Sequence, residues 1–286
     1  MKSNKIAAVL VTFNRLDLLK PLISSLKNQT LKPDAIIVVN NSSTDGTEEW
    51  LSKQQDIITI KQKNLGSSGG QYTSMKTAYT MDYDWIWVMD DDVEPELNCL
   101  EVLMENPNEN EVKSALRYTP ENKPFLSEII KVNMSNPFKS IWSKIISDDD
   151  IKNKETCVQG LTFEGPLFHR NVIEKIGYPE NKFFIYGDDT EYSIRAIKAG
   201  FTLKMVSSAK LNRKLEAPDL NLEFSWKHYY MIRNLIAIDV LNGSSMVRWI
   251  RPWGYLLRWL MRCNSLENIK TVLNAFKDGY FYKSDN

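Results

Sequence analysis

The chain has 286 residues, 43% hydrophobic and 25% charged, a globular composition that argues against disordered, collagenous and multi-spanning membrane classes and suits one elaborated domain or one and a half. Its 36 basic and 36 acidic residues cancel, so no global field holds a polyanion such as nucleic acid, and any polyanion site has to be a local patch. Cys99, Cys157 and Cys263 form no CxxC pair and have no histidine at metal-ligand spacing, which reads as a reduced, cytoplasmic compartment.

The basic start, Met1 to Lys5, and the apolar run after it imitate a short leader. No small-residue cleavage site follows and Asn14-Arg15 interrupts at once, so residues 6–12 read as a buried first strand. Further apolar runs at 36–40, 57–62 and 85–89 predict strands, with helices over 16–28, 45–53 and 69–80 between them. That alternation, with strands apolar on both faces, predicts an α/β fold built on a mostly parallel sheet. Ligands bind such sheets beyond the carboxyl ends of the strands. The residues there are Asn14-Arg15, Asn40-Asn41-Ser42-Ser43, Asn64-Leu65-Gly66 and Asp90-Asp91-Asp92, all polar apart from Leu65 and Gly66. Residues 106–155, interrupted by prolines and acidic turns, read as a variable insertion. Order returns at 156–167, continues through helix-like 170–176, and a helix over 189–199 ends at Gly200, a left-handed cap.

Three clusters carry chemistry. In a strand, Asp90 and Asp92 point the same way and Asp91 points elsewhere, so the outer pair can share a hard divalent cation such as Mg2+ or Mn2+; a solvated acidic turn is the alternative. Gly66, Gly69 and Gly70 sit in a glycine-rich turn opening a helix, where free amides can receive a phosphate or a sugar hydroxyl; a flexible connection is the alternative. Asp188, Asp189 and Glu191 follow the aromatic run 183–186, a place for an N-cap or for a general base shielded from water.

Taken in order, the stretches 9–15, 38–47, 64–70, 90–92 and 184–192 resemble the family 2 glycosyltransferases. The resemblance implies a GT-A fold, a nucleotide-sugar donor, Mn2+ or Mg2+, and inversion at the anomeric carbon. With Tyr229-Tyr230-Met231-Ile232-Arg233-Asn234 added, the chain looks most like the galactofuranosyl- and rhamnosyl-transferase branch that builds bacterial surface polysaccharides such as O-antigen and capsule. Carried over, Thr12, Asn14, Arg15, Asn40, Asn64, Gly66, Gly69, Gly70, Asp90 and Asp91 bind the donor, with Asn40 at the base-reading position. Asp90 and Asp92 hold the metal, Asp189 is the base, and Asp188 or Glu191 orients the acceptor. The family's usual histidine metal ligand has no counterpart near 209–214, where Arg213 or Lys214 can instead neutralise the diphosphate; His169 and His228 read as packed residues. The donor expected is UDP-galactofuranose and the acceptor a lipid-linked saccharide or growing polysaccharide. dTDP-rhamnose is the alternative donor, and a metal-dependent nucleotidyltransferase or phosphohydrolase the alternative class.

The implied division is a catalytic domain over 1–205 (donor half 1–100, insertion 101–155, acceptor half 156–205) and a C-terminal helical extension over 206–286. In 246–262, helical spacing sets Arg248, Arg251, Arg258 and Arg262 opposite Trp249, Trp253, Leu256, Leu257 and Leu260, with Pro252 limiting the helix to the part after it. This face suits either an anionic membrane surface or packing on the catalytic domain.

Overall fold

The computed structural model describes residues 4–216 and 224–284; Met1, Lys2 and Ser3 of the basic start and Asp285 lie outside the described residues. Every strand and helix expected in the first hundred residues is present: β1 (Ile6–Thr12), α1 (Leu16–Lys27), β2 (Ala35–Asn40), α2 (Thr47–Ser52), β3 (Ile57–Lys61), α3 (Gly66–Thr80) and β4 (Trp85–Asp90). The strands β1, β2 and β4 pack on both faces, which is why they read as unbroken apolar runs, whereas β3 lies at the sheet edge and alternates. In α1, Leu19, Leu22, Ile23 and Leu26 form a buried stripe at helical spacing. Its first turn is capped from a distance by Asp45, whose carboxylate accepts from the Leu16 amide at 2.9 Å.

The chain continues through β5 (Val93–Pro95), α4 (Cys99–Leu103), β6 (Glu111–Tyr118), β7 (Ile129–Val132), β8 (Trp142–Ile145), β9 (Glu155–Val158), β10 (Pro166–His169), α5 (Arg170–Ile176), α6 (Asp188–Lys198) and β11 (Thr202–Arg213). Three helices follow: α7 (Trp226–Asn242), α8 (Ser245–Leu260) and α9 (Leu266–Tyr280). The main sheet runs β3-β2-β1-β4-β10-β6-β11-β5, with β9 also on β11. It is mostly parallel: β1 to β4, β6 and β11 share one direction, and β5, β9 and β10 oppose it. Helices cover both faces, with α1 packed against Leu10 on one and α3, through Met75 and Ala78, against Val9 on the other. The β1–β4 seam of this α/β sheet is the place where a ligand crevice opens.

Four expectations need correction. Residues 101–155 are not an insertion, because β6 lies inside the main sheet between β10 and β11. Its strand pattern is broken by two buried cations: Lys113 donates to the Glu105 carbonyl at 2.6 Å, and Arg117 pairs with Glu128 at 3.0 Å. Beyond β6, residues 119–154, made of turns and the separate β7–β8 pair, match the expected irregularity. Second, a boundary at 205/206 cuts β11, so the catalytic unit extends at least to Arg213. Third, α8 runs straight through Pro252. Fourth, Arg251 does not share an exposed face with the other arginines. It is 3% exposed and pairs with Asp239 of α7, itself 0% exposed, while donating to the Asn133 carbonyl at 2.8 Å. The predicted left-handed cap at Gly200 is present, with φ +94°.

The three C-terminal helices enclose their own core of Ile232, Ile236, Tyr255, Leu256, Val272 and Ala275. Trp253 packs on Phe276 of α9 at 4.8 Å rather than on the sheet, and stays 50% exposed. No helix among the described residues is long and apolar enough to cross a membrane.

Candidate active site

A cavity of about 510 Å³ opens beyond the carboxyl ends of β1 and β4. Val11, Thr12, Phe13 and Arg15 line it from the β1 end, Asn41 from the β2 end, and Asn64, Gly66 and Ser67 from the start of α3. Asp90, Asp91 and Asp92 form one wall; Thr162, Phe163 and Glu164 precede β10; Phe184, Ile185, Tyr186, Asp188 and Asp189 form the wall opposite, with Trp226 and Lys227 at the rim. The two acidic clusters, about a hundred residues apart in sequence, thus face one space.

The glycine-rich start of α3 serves this wall by close packing. Gly66 has φ +75°, and a Cβ there would lie 2.0 Å from the Phe184 carbonyl oxygen. At Gly70 a Cβ would meet Val11 at 2.3 Å, so the two glycines let α3 sit against β1 and against the loop carrying the second acidic cluster. The expected free amides are largely occupied: the Gly66 amide donates to Asn64 Oδ1 at 2.9 Å and the Ser68 amide to the Phe184 carbonyl at 3.2 Å. Gly69 and Gly70 do not line the cavity.

The asparagines divide their work in the same way. Asn14, at φ 53°, accepts from the Thr44 amide at 2.7 Å and ties the β1 and β2 loops together. Asn40 is buried and accepts from the Ser43 amide at 2.9 Å. Its neighbour Asn41 lines the cavity, donating to the Gly66 carbonyl at 3.0 Å. Asn40, the expected base reader, does not line the cavity, while its neighbour does.

Arg15 bridges Asp91 at 3.0 Å and Asp92 at 2.9 Å. Burial works against its charge, but the two aspartates outweigh burial and raise its pKa. Asp90 lacks such a cation: burial first, then Asp92, Glu164, Asp91 and Asp188, push its carboxyl well above the usual range. Glu164 was not legible in the sequence. It accepts from Arg117 at 2.7 Å and Arg213 at 3.2 Å, and both guanidinium groups stack on Phe125. Arg213 is therefore already paired, as is Lys214 with Glu94, so the basic side chain lining the cavity beside Arg15 is Lys227.

Asp188 and Asp189 open α6, whose N-cap Gly187 takes φ +83°. Burial, and then Asp189, push Asp188 up to about 7. Asp189 is half-buried, is raised by burial, and accepts from the Thr190 amide at 2.5 Å. Glu191, expected beside them, is turned away: it pairs with Arg195 at 2.8 Å and accepts from Asn242 at 3.2 Å, a brace between α6 and α7. The loop before α6 is fixed by the 229–234 stretch that the sequence singled out. Asn234 donates to the carbonyls of Phe183, Ile185 and Tyr186 at 3.0, 2.9 and 2.7 Å, and Arg233 to those of Lys182 and Phe183.

The residues present fit a divalent cation. Their oxygens are hard donors, and the crowding of Asp90 by like charges is what a cation relieves. Thr12 Oγ1 and Asp188 Oδ2, both on the cavity wall, are buried without a well-formed hydrogen bond among the described residues, as expected of groups that a polar ligand satisfies. No three His, Cys, Asp or Glu side chains among the described residues form a closed metal cluster, so ligand oxygens and water would complete the shell. His169 caps α5, and His228 stacks on Phe224 at 4.6 Å; neither lines the cavity.

The family model for glycosyl transferase family 2 matches residues 7–177. The chain belongs to this family. A galactofuranosyltransferase GlfT1 of Mycolicibacterium smegmatis is 26% identical over 206 residues, 68% of this chain and 66% of that protein, just under two thirds of the relative's length. The O-antigen chain rhamnosyltransferase WbaN of Salmonella anatum is 23% identical over 190 residues, 65% of this chain and 58% of that one. The crystal structure of GalNAc-T7 with UDP, GalNAc and Mn2+ superposes with a TM-score of 0.66 at 10% identity, covering 96% of this chain and 55% of that one. This glycosyltransferase therefore has the GT-A architecture, and its family match ends just after α5. The second acidic cluster and the helices that hold it lie beyond the matched residues.

Proposed function

We propose that this protein transfers galactofuranose from UDP-galactofuranose to a hydroxyl of a lipid-linked saccharide or growing polysaccharide in bacterial surface-polysaccharide synthesis, inverting the anomeric carbon. The observation that carries the reading is the single cavity with Asp90 to Asp92 on one wall and Asp188-Asp189 on the other: a place for a diphosphate facing a place for a base. Thr12, Asn41 and Asn64 bind the nucleotide side, Lys227 offsets the diphosphate charge, and Arg15 holds Asp91 and Asp92 in place beside it. Asp90 and Asp92 would hold Mg2+ or Mn2+, which when bound neutralises charge on the leaving diphosphate. Asp189, the more accessible of the pair, takes the proton from the acceptor hydroxyl as that oxygen attacks opposite the leaving group. Asp188, driven toward its protonated form by burial, orients the acceptor in place of Glu191.

The M. smegmatis relative supports galactofuranose, and the S. anatum relative supports rhamnose from dTDP-rhamnose as the second reading. Nucleotidyl transfer and phosphate hydrolysis are not favoured in a family 2 chain. A panel of nucleotide sugars separates the readings: UDP-galactofuranose should raise the melting temperature and release UDP when acceptor is added. Protection by dTDP-rhamnose alone selects the second reading, and release of pyrophosphate or inorganic phosphate defeats both. We place the enzyme at the cytoplasmic face of the membrane, held peripherally by the exposed stripe of α8.

A further inference from the structure

A second cavity, of about 520 Å³, lies between α7 and α9, and Trp226 is a wall of both this cavity and the first. One side is aromatic: Trp226, 59% exposed, with Phe224, Tyr229 and Tyr230. The other side is polar, presented by Asn268 and Asn274 of α9. The rings are held in place. Tyr230 stacks on Phe184 of the catalytic loop at 4.9 Å and meets Trp226 edge-on at 5.9 Å, and the Tyr229 hydroxyl donates to Asp278 at 2.6 Å.

The lining decides what fits. Among the described residues it includes one carboxylate, Glu267, and no Lys or Arg, so an anionic ligand such as a nucleotide or a phospholipid headgroup is disfavoured. A wholly apolar ligand would cut the exposed Asn274 amide off from water without a partner. A saccharide answers both walls, since its rings offer apolar C–H faces to the aromatic rings and its edges offer hydroxyls to the amides. We propose that this groove holds the saccharide chain of the acceptor beyond the sugar bearing the reacting hydroxyl, with Trp226 marking the passage from the bound chain to the reaction centre. The proposal rests on the transfer reading above, because it makes the groove an extension of the acceptor side of that cavity.

The test uses the full chain without donor sugar. It is titrated with octyl glycosides of one and of four galactofuranose residues, with the same pair built from rhamnose, and separately with UDP. At least one tetrasaccharide should bind about tenfold tighter than its monosaccharide. Asn274→Trp, which fills the groove from the exposed face of α9, should abolish that preference while UDP affinity and melting temperature stay as in the wild type. Should that variant melt early, Asn274→Ala, which removes a polar contact without adding bulk, should reduce the preference severalfold. Equal affinity for one and four residues in the wild type, or a length preference that survives in a folded variant, overturns the groove. A chain that shows the length preference but ignores UDP supports the groove and overturns the UDP-galactofuranose reading instead.

Discussion

Asp188 and Asp189 are adjacent in the first turn of α6, where the helix dipole favours a carboxylate, yet burial dominates and raises both. Because Asp189 is the more exposed of the two on the cavity wall, Asp189→Asn should lower kcat by about a hundredfold or more while UDP affinity stays within a few-fold. A normal kcat would move the base to Asp188. Asp188 carries the sharper pH signature. With its folded pKa at about 7 and an unfolded value of about 4, the folded state keeps a proton that the unfolded chain has released. Stability of the metal-free protein therefore falls as pH rises between those values and levels off above the higher one, by about 2–3 kcal/mol between pH 5 and 8. Denaturant unfolding at those two pH values should show a shallower slope in Asp188→Asn, the remainder coming from the other raised carboxyls, Asp90 and Asp189; an unchanged slope in the variant would assign all of it to those groups.

At the scale of elements, α8 shows how one helix serves two environments. Val247, Arg251, Pro252, Tyr255 and Leu256 face inward. Met246, Trp249, Ile250, Trp253, Leu257 and Met261 recur at three- and four-residue spacing on the exposed side, Trp249 at 64% exposure, with Arg248, Arg258 and Arg262 also exposed. An amphipathic face of tryptophan with arginine nearby suits the headgroup region of an anionic bilayer. Each arginine there contributes about 1 kcal/mol, so replacing Arg248, Arg258 and Arg262 by Gln should weaken vesicle binding by about two powers of ten. Wild-type protein should sediment with anionic vesicles at low salt and leave them at high salt. Indifference of the wild type to such vesicles would end the membrane proposal.

Across the whole molecule, a line of contacts joins the C-terminal helices to the chemistry. Arg251 of α8 ties Asp239 of α7 to the backbone of Asn133 and Lys139, and Asn234 on the same α7 fixes the loop that enters α6. The helical trio is therefore part of the catalytic scaffold rather than an appendage. Arg251→Ala leaves the Asp239 carboxylate buried and unpaired, which should cost about 3–5 kcal/mol, read as a shift in the denaturant midpoint. Replacing both residues, Arg251→Met with Asp239→Leu, should recover most of the loss, since a buried ion pair and its apolar replacement are often close in stability. A single variant as stable as the wild type would remove this tie from the account.

The sequence by itself determined the parallel half of the sheet, because β1, β2 and β4 are buried on both faces and so must be apolar throughout. It also singled out both acidic clusters, which the fold brings to one cavity, because carboxylates at the carboxyl end of a buried strand and at a helix start have few structural uses. Neighbouring choices were decided elsewhere. The strand β6 was hidden because Lys113 and Arg117 are buried against partners distant enough to leave no local period. Asn41 rather than Asn40, and Glu164 rather than Glu191, reach the cavity because the turn after β2 and the pairing of Arg195 set the direction of each side chain. The three arginines of α8 look alike along the helix, and only the meeting with Asp239 separates the buried one from the rest. Periodicity reports which face of an element is apolar; which polar side chain is drawn inward depends on the charge it meets there, and that charge comes from another part of the chain.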